Sequence, residues 1–438
     1  MKPEFNLTRR SLLTAAGVGG LGLALASCAG PGSGTTSPTT AASSGAAATL
    51  DPSKANGAIS FAHWRGEDKA VFDEIIEMFT QKYPGTSVRQ DITPSNDYQS
   101  NALQQIRQGN VGDLFTAFRG AQFNDMASAG LFVDLGATTV ADAYEASLIE
   151  GGAHEGKQLG LPYQLVFNMP IINEDAMNSA GVTELPEDWD GFLDLCDKLK
   201  TSGLVPMAWP GGEMGNAGQL FNSMIMNVAP SDDMCTRIEK GELKVTEDWF
   251  IGMLRNYQEL IPFMQPNATG TAVEPAQQMF ASGQAAMLAT GSYHMAAVRA
   301  LGAQFKMNLL APINVAKADA KYQGIHNATF VLGVSSFGEN QDTAFALMEM
   351  LSDPEVAGIY GSKTAQHVTV KGVDYDNEDL KNTSGWLDKK TLLAPRFQFN
   401  NLDIRNAAEG ACIAVVGGKS PEEAAAEAQA IIDQRVAK

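Results

Sequence analysis

Four aromatic residues, Trp64, Tyr163, Trp209 and Tyr293, fall at the ends of strand-like runs or in the loops after them. A flat ring so placed can stack on an apolar ligand face, while charged and amide neighbours satisfy the ligand's polar edge. Such neighbours are at hand. Arg65 and Glu67 follow the same run as Trp64, and Arg119 and Gln122 follow a run that ends at Phe118.

Covalent and metal chemistry find no comparable constellation. There is no GxSxG elbow for a nucleophilic serine. His154-Glu155 lacks the second histidine of a zinc-protease helix. Gly418-Lys419-Ser420 has Ile413 where a phosphate loop needs glycine, and Asp374, Asp376 and Glu378 alternate like a calcium loop without its glycine. Gly17, Gly19 and Gly22 match GxGxxG, but without the strand and βαβ unit that give the pattern meaning. Besides Cys28, the cysteines are Cys196, Cys235 and Cys412, none in CxxC spacing, so neither zinc nor a redox pair is expected. Whether any disulfide forms stays open. The reading is therefore of a protein without catalytic residues, metal or cofactor. A secreted glycoside hydrolase remains an alternative, because it needs only two carboxylates at a set distance.

The elements that must position these residues alternate. Ala58–Trp64 is strand-like, and a helix follows from Asp68 with Val71, Phe72, Ile75, Ile76 and Phe79 at helical spacing. Pro84-Gly85 ends it, Thr86–Ile92 is a second strand, 97–108 a second helix and 112–118 a third strand. This order describes an α/β fold with a parallel sheet, whose ligands lie off the carboxyl ends of the strands. Further on, 185–199 is helical with Trp189 in the core. A strand ends at Trp209, and PGGEMGNAG after it reads as a loop. Helices are expected over 273–282 and 341–351 and from Asp353, and strands over 285–290, 305–312 and 324–332. Ser420 and Pro421 open the last helix as cap and first-turn residue.

The chain is acidic, with 31 basic and 50 acidic residues and a net charge of −19. That balance argues against nucleic acid and anionic lipid as partners. Thr8-Arg9-Arg10-Ser11-Leu12-Leu13 resembles a twin-arginine export motif, and Leu25-Ala26-Ser27-Cys28 resembles a lipobox in which Cys28 takes the lipid. Residues 1–27 are thus expected to be an export signal. Residues 28–56, rich in Gly, Ser, Thr, Ala and Pro, read as a flexible tether to a lipid anchor on the extracytoplasmic face of the membrane.

GLPYQLVFNMPIINEDAM, LPEDWDGFLDLCDKL, FASGQAAMLATGSYHMA, ATFVLGV, MLSDPEVAG and GGKSPEEAAAEAQAII follow one another in the order found in one family. From about residue 57 to 438 the chain resembles the sugar-type extracellular solute-binding lipoproteins of bacterial ABC importers. The resemblance implies a two-lobed periplasmic-binding-protein-like fold, with hinge strands and a ligand cleft between the lobes. It places lobe one in 57–166 and 307–352 and lobe two in 167–306 and 353–438, with crossings near 165–168 and 307–312 and after Ser352. It implies a sugar or oligosaccharide ligand, ABC permease subunits as partners, a monomer, and contact with the membrane through the lipid alone. Tyr163, Gln164, Tyr293, His326 and Asn327 match cleft positions of the family. Gly324-Ile-His326-Asn327 stands where the family often has a run of glycines, which puts more side chain into the cleft. With Trp64, Glu67, Arg119 and Trp209, and Asn400 in PRFQFNN, these are the expected ligand-binding residues. A non-sugar small solute is the alternative ligand class.

Overall fold

Apolar residues at two periods set the architecture. In Lys69–Lys82, Phe72, Ile75 and Phe79 turn one helical face inward, and the helix ends before Gly85, whose φ of +102° a side chain would strain. On either side of it, Gly57–His63 (β1) and Thr86–Ile92 (β2) pair in parallel along their whole length. The structure, a computed structural model, describes residues 50–436 apart from residue 110. The expected export signal, Cys28 and residues 28–49 of the expected tether lie outside the described residues.

The remaining strands are Leu114–Ala117 (β3), the two-residue hairpin Ala153–His154 (β4) and Lys157–Gln158 (β5), Leu161–Phe167 (β6), Ile171–Asn173 (β7), Val205–Ala208 (β8), Ala285–Leu288 (β9), Met307–Leu309 (β10), Gly324–Val334 (β11), His367–Val368 (β12) and Thr391–Leu393 (β13). One sheet runs β12-β6-β11-β3-β1-β2, with β13 added to β11. The other runs β10-β7-β9-β8. Each sheet has its own apolar core. Ile59, Phe72, Phe115, Val334 and Tyr360 belong to the first, and Ile171, Phe192, Met207, Phe221 and Met287 to the second.

Two strands belong to both halves. In β6, Leu161 and Tyr163 enter the first core and Leu165 and Phe167 the second. In β11, Ile325 enters the second core and Phe330 to Val334 the first. These strands pair antiparallel with each other, His326 opposite Phe167 and Leu332 opposite Leu161. Ala365 dips into the second core between Tyr360 and Val368 of the first, and the chain passes to the second core for good between Val370 and Trp386.

In β6 the change of core lies between Tyr163 and Leu165, beside the expected crossing at 165–168, and the other two expected crossings lie elsewhere. Residues 307–312 stay in the second half, because β10 pairs with β7 and Leu310 and Ala311 pack in the second core. The chain returns only within β11. The helix Pro354–Thr364 stays in the first half, where Val356, Ala357 and Tyr360 pack in the first core. Within the segment expected as tether, residues 51–56 are fixed to the body. Asn56 bonds through both its N–H and its carbonyl to the Thr343 hydroxyl, at 2.8 and 2.7 Å, and the Asp51 N–H reaches Asp342 at 2.9 Å. Residues 51–56 are thus docked on the helix Gln341–Leu351. Cys196, Cys235 and Cys412 are buried free thiols, and burial pushes Cys196 up to about 12.

Candidate ligand-binding site

The crossing strands carry polar side chains that the protein leaves without partners. Asn327 in β11 is 1% exposed, yet neither its amide oxygen nor its amide nitrogen has a partner within the chain. Thr329, two residues on and on the same face of the strand, has a buried hydroxyl in the same state. Asn168, just past β6, donates to Gln219 at 2.8 Å but its own carbonyl oxygen is unpartnered. The His294 Nδ1 and the Gln366 amide oxygen complete the group. Each such atom costs about 1–3 kcal/mol when buried unpaired, so their concentration at the crossing strands marks a place built to meet polar groups.

Local structure explains the placement. After β9, Gly291 leads into the turn Ser292–His294, and the Ser292 hydroxyl accepts the Phe167 N–H at 3.0 Å, tying the turn to β6. Tyr293 is thereby held half-buried, with Arg65 of the first half and Arg396 of the second both close enough to act on its hydroxyl. Burial pushes that hydroxyl's pKa up, against both arginines. His294 beside it is pushed down to about 3 by burial and by Arg65. His326 donates to or accepts from the Thr391 hydroxyl at 2.9 Å, and burial with Arg119 nearby pushes it down to about 4. Both rings are neutral at ordinary pH. Phe330 takes φ +55° in mid-strand, an unusual conformation for a bulky residue, where β11 passes from one core to the other.

Of the expected residues, Arg119 is near enough to act on the His326 ring, Tyr293 lies within reach of Arg65 and Arg396, and Asn327 and Trp64 are buried, Trp64 in the first core. One face of the Trp64 indole is already covered by Phe118, at 3.7 Å and 17° between planes, and Phe330 meets it edge-on. Glu67 is exposed and pairs with Arg65 at 3.1 Å rather than facing inward. Asn400 takes a different part. Its side-chain oxygen accepts from Asn124 of the first half at 2.5 Å, while Glu239 holds its backbone N–H at 2.6 Å. It forms a contact between the halves.

Three expected residues lie in packed interior. Tyr163 is fully buried against Tyr360, and its hydroxyl has no partner. Gln164 is 2% exposed and donates to the Tyr360 hydroxyl. Trp209 is fully buried because the segment read as a loop becomes the helix Met214–Ile225, whose Ala217 carbonyl accepts from the indole at 3.2 Å. Gln265 accepts from the Trp209 N–H and donates to its carbonyl, closing the site around the backbone. Sequence reasoning overlooked His294, Gln366 and Arg405. His294 adjoins Tyr293 and was within reach, whereas Gln366 and Arg405 arrive from distant segments with no local signal.

Among the described residues no cluster of three His, Cys, Asp or Glu side chains is placed to hold a metal ion. Two surface cavities, of about 490 and 620 Å³, line the edge of the first sheet near Asp91 and the helix Pro354–Thr364. Neither is lined by any of the expected ligand-binding residues. Among the described residues no helix is long and apolar enough to cross a membrane.

Two α/β halves, each with its own sheet and core, joined by strands that serve both, define the two-lobed binding-protein class. Residues 62–358 match the family of bacterial extracellular solute-binding proteins, and the chain belongs to it. That family comprises binding proteins, not enzymes. A probable sugar-binding periplasmic protein of Mesorhizobium japonicum is 27% identical over 39% of this chain, a match that spans 42% of that relative. The alpha-glucosides-binding periplasmic protein AglE of Rhizobium meliloti is 24% identical over 84% of this chain and 85% of its own length. Among solved structures, the raffinose-bound protein RafE superposes with a TM-score of 0.75 at 16% identity, covering 86% of this chain and 99% of its own. The galactopyranose receptor AcbH gives 0.75 at 20% identity, covering 86% and 98%. At these identities the likeness to the solved structures is one of fold.

Proposed function

We propose that the chain is the solute-capturing component of an ABC importer, and that it takes up a sugar or oligosaccharide between its halves and delivers it to permease subunits. The observation that carries this reading is the set of unpartnered polar side chains on and beside the crossing strands, Asn327 above all. A sugar's hydroxyls both donate and accept, so one ring edge can satisfy both ends of an amide that has neither partner. A half-buried ring such as Tyr293, held in the turn tied to β6, suits the apolar ring faces. The sugar-binding names of the relatives support the same ligand class. Strands shared by two cores are natural hinges, and closure about β6, β11 and the segment between Val370 and Trp386 would enclose the ligand. In this reading the body works as a monomer at the extracytoplasmic face, carried on a lipid at Cys28. Its acidic surface leaves nucleic acid out.

The test is a thermal-shift panel on the full chain, with mono- and oligosaccharides, polyols and amino acids. A ligand at a hundred times its dissociation constant adds about 2.7 kcal/mol of stability, which raises Tm by several degrees. A sharp response to one sugar, lost in Asn327→Ala, supports the reading. A response confined to amino acids or polyols sinks the sugar assignment. Release of product from an oligosaccharide would overturn capture without chemistry.

A further inference from the structure

Cations are in the minority here, 31 against 50 acidic residues, and the arginines inside each half are matched by carboxylates. Arg65 pairs with Asp68 at 2.8 Å and Arg396 with Glu409 at 3.0 Å. Two arginines depart from this. Arg119 leaves the end of β3 with its guanidinium over Gly151, so close that a Cβ there would lie 2.8 Å from Nη1. It makes no ion pair and no side-chain hydrogen bond among the described residues. Burial lowers its pKa, and only the exposed Glu150 acts the other way. Arg405 is half-buried on the helix Leu402–Val416, its Nε enclosed without a partner. Its guanidinium has one long contact, 3.5 Å to the Asn406 side chain. Burial and then repulsion from Arg396 lower it to about 10, and Glu409 nearby is already taken at both oxygens by Arg396.

The elements that carry the two arginines come from opposite halves and approach one strip, residues 395–401, whose Arg396 lies near enough to Arg405 to act on it. Gly120, next to Arg119, has φ +91°, and a Cβ there would sit 2.6 Å from the Phe397 carbonyl oxygen. Asn124 in the helix that follows bonds Asn400. From the other side, the Arg405 N–H bonds the carbonyl of Asn401, the residue that caps its helix, at 3.1 Å. Guanidinium groups withdrawn from water without a counter-charge are costly, and a planar carboxylate or a phosphate matches their donors two at a time.

We infer that the captured solute carries an anionic group, a carboxylate or a phosphate, received between Arg119 and Arg405. The inference rests on the sugar-capture reading and makes the solute an acidic sugar. The neutral His326 ring beside Arg119 adds a hydrogen-bonding group without adding charge.

Matched pairs test it by calorimetry on the full chain at low and high salt: galacturonate against galactose, trigalacturonate against raffinose, and glucose 6-phosphate against glucose. The acidic member should bind at least tenfold tighter, and the advantage should shrink with salt. Arg119→Gln and Arg405→Gln should each weaken the acidic ligand by roughly 10- to 100-fold, the loss of a charged hydrogen bond, and weaken neutral sugars by clearly less. Whether the carboxylate or the phosphate arm responds identifies the anion. If Arg405→Gln fails to fold, Arg119→Gln, at a less enclosed position, carries the test. Neutral sugars binding as tightly as acidic ones, no acidic probe binding, or full affinity in Arg119→Gln overturns the inference. Binding of neutral sugars alone leaves the sugar-capture reading standing, whereas binding of amino acids alone removes both.

Discussion

Each half of the molecule buries one arginine–carboxylate pair, and the two are built differently. In the first half, Arg65 and Asp68 stand three residues apart in the turn after β1, bonded at 2.8 and 3.2 Å. Tyr360 donates to the same carboxylate at 2.6 Å, and Glu67 offers the guanidinium a second, exposed acid at 3.1 Å. In the second half, Arg396 and Glu409 stand thirteen residues apart, bonded at 3.0 and 3.2 Å, with no other acid in contact. Gly218 is what leaves room for that carboxylate, since a Cβ there would lie 2.3 Å from it. Burial works against the Arg65 charge, yet Asp68 and Glu67 outweigh it and its pKa rises. The first pair is local and has a reserve acid. The second is a tertiary strut between two helices and the strip at 395–397, and it has none. Between them, at the seam, charge is handled in a third way: Arg119 and Arg405 lack carboxylate partners, and His294 and His326 are kept neutral by burial.

The sharpest way to break this comparison is to remove the acid from each pair. Glu409→Gln keeps the volume but strands Arg396, and should cost about 3–5 kcal/mol in urea unfolding of the full chain. Asp68→Asn should cost less, about 2–3 kcal/mol, because Glu67 still reaches Arg65. Equal losses would refute the idea that the first pair has a reserve.

A smaller effect separates groups kept neutral by burial from groups kept charged by partners. The folded-state pKa of His294 lies at about 3, below the ordinary value of 6.5. On acidification the unfolded chain takes up this proton first. The associated stability is therefore complete above about pH 6.5 and is lost as pH falls toward 3. In His294→Gln the slope of stability with pH in that window should fall by about 1 kcal/mol per pH unit, measured by thermal unfolding across the range. An unchanged slope would mean that the ring is open to solvent in the folded protein. The smallest effect belongs to the contact between the halves. Asn124→Ala removes the hydrogen bond to Asn400 and should cost about 0.5–1.5 kcal/mol, while raising the ligand dissociation rate seen in stopped-flow fluorescence.

Elements with a clean period and marked ends were legible beforehand. Lys69–Lys82, Thr86–Ile92 and Gln341–Leu351 lie within a residue or so of where spacing and breakers put them. Ser420 caps the last helix as read: its hydroxyl accepts the Glu423 N–H and the Glu423 carboxylate accepts the Ser420 N–H, each at 3.3 Å. The helix Met214–Ile225 was not legible. Its opening residues, Met-Gly-Asn-Ala-Gly, carry loop chemistry, and every residue from Ala217 to Ile225 is buried, so no polar face gave it a period. The same error misplaced Trp209, since the unread helix is what covers it. Tyr163 and Gln164 were misplaced for another reason. A residue's place at a strand end says nothing of which face a second layer will cover, and Tyr360 arrives from 196 residues past Gln164 to cover theirs. Arg119 and His326, near enough to interact, each follow or lie on a strand of the first sheet.

The sequence by itself determined the alternation of strands and helices, the absence of catalytic motifs, the acidic balance and the family resemblance. These are properties of neighbouring residues and of composition. Tertiary structure decided where the chain crosses between halves, which aromatic rings were enclosed, and which charges found partners. Each of these depends on residues tens to hundreds of positions apart meeting at one place. Local pattern carries no record of such meetings, and the cost of burying a polar group is set by them.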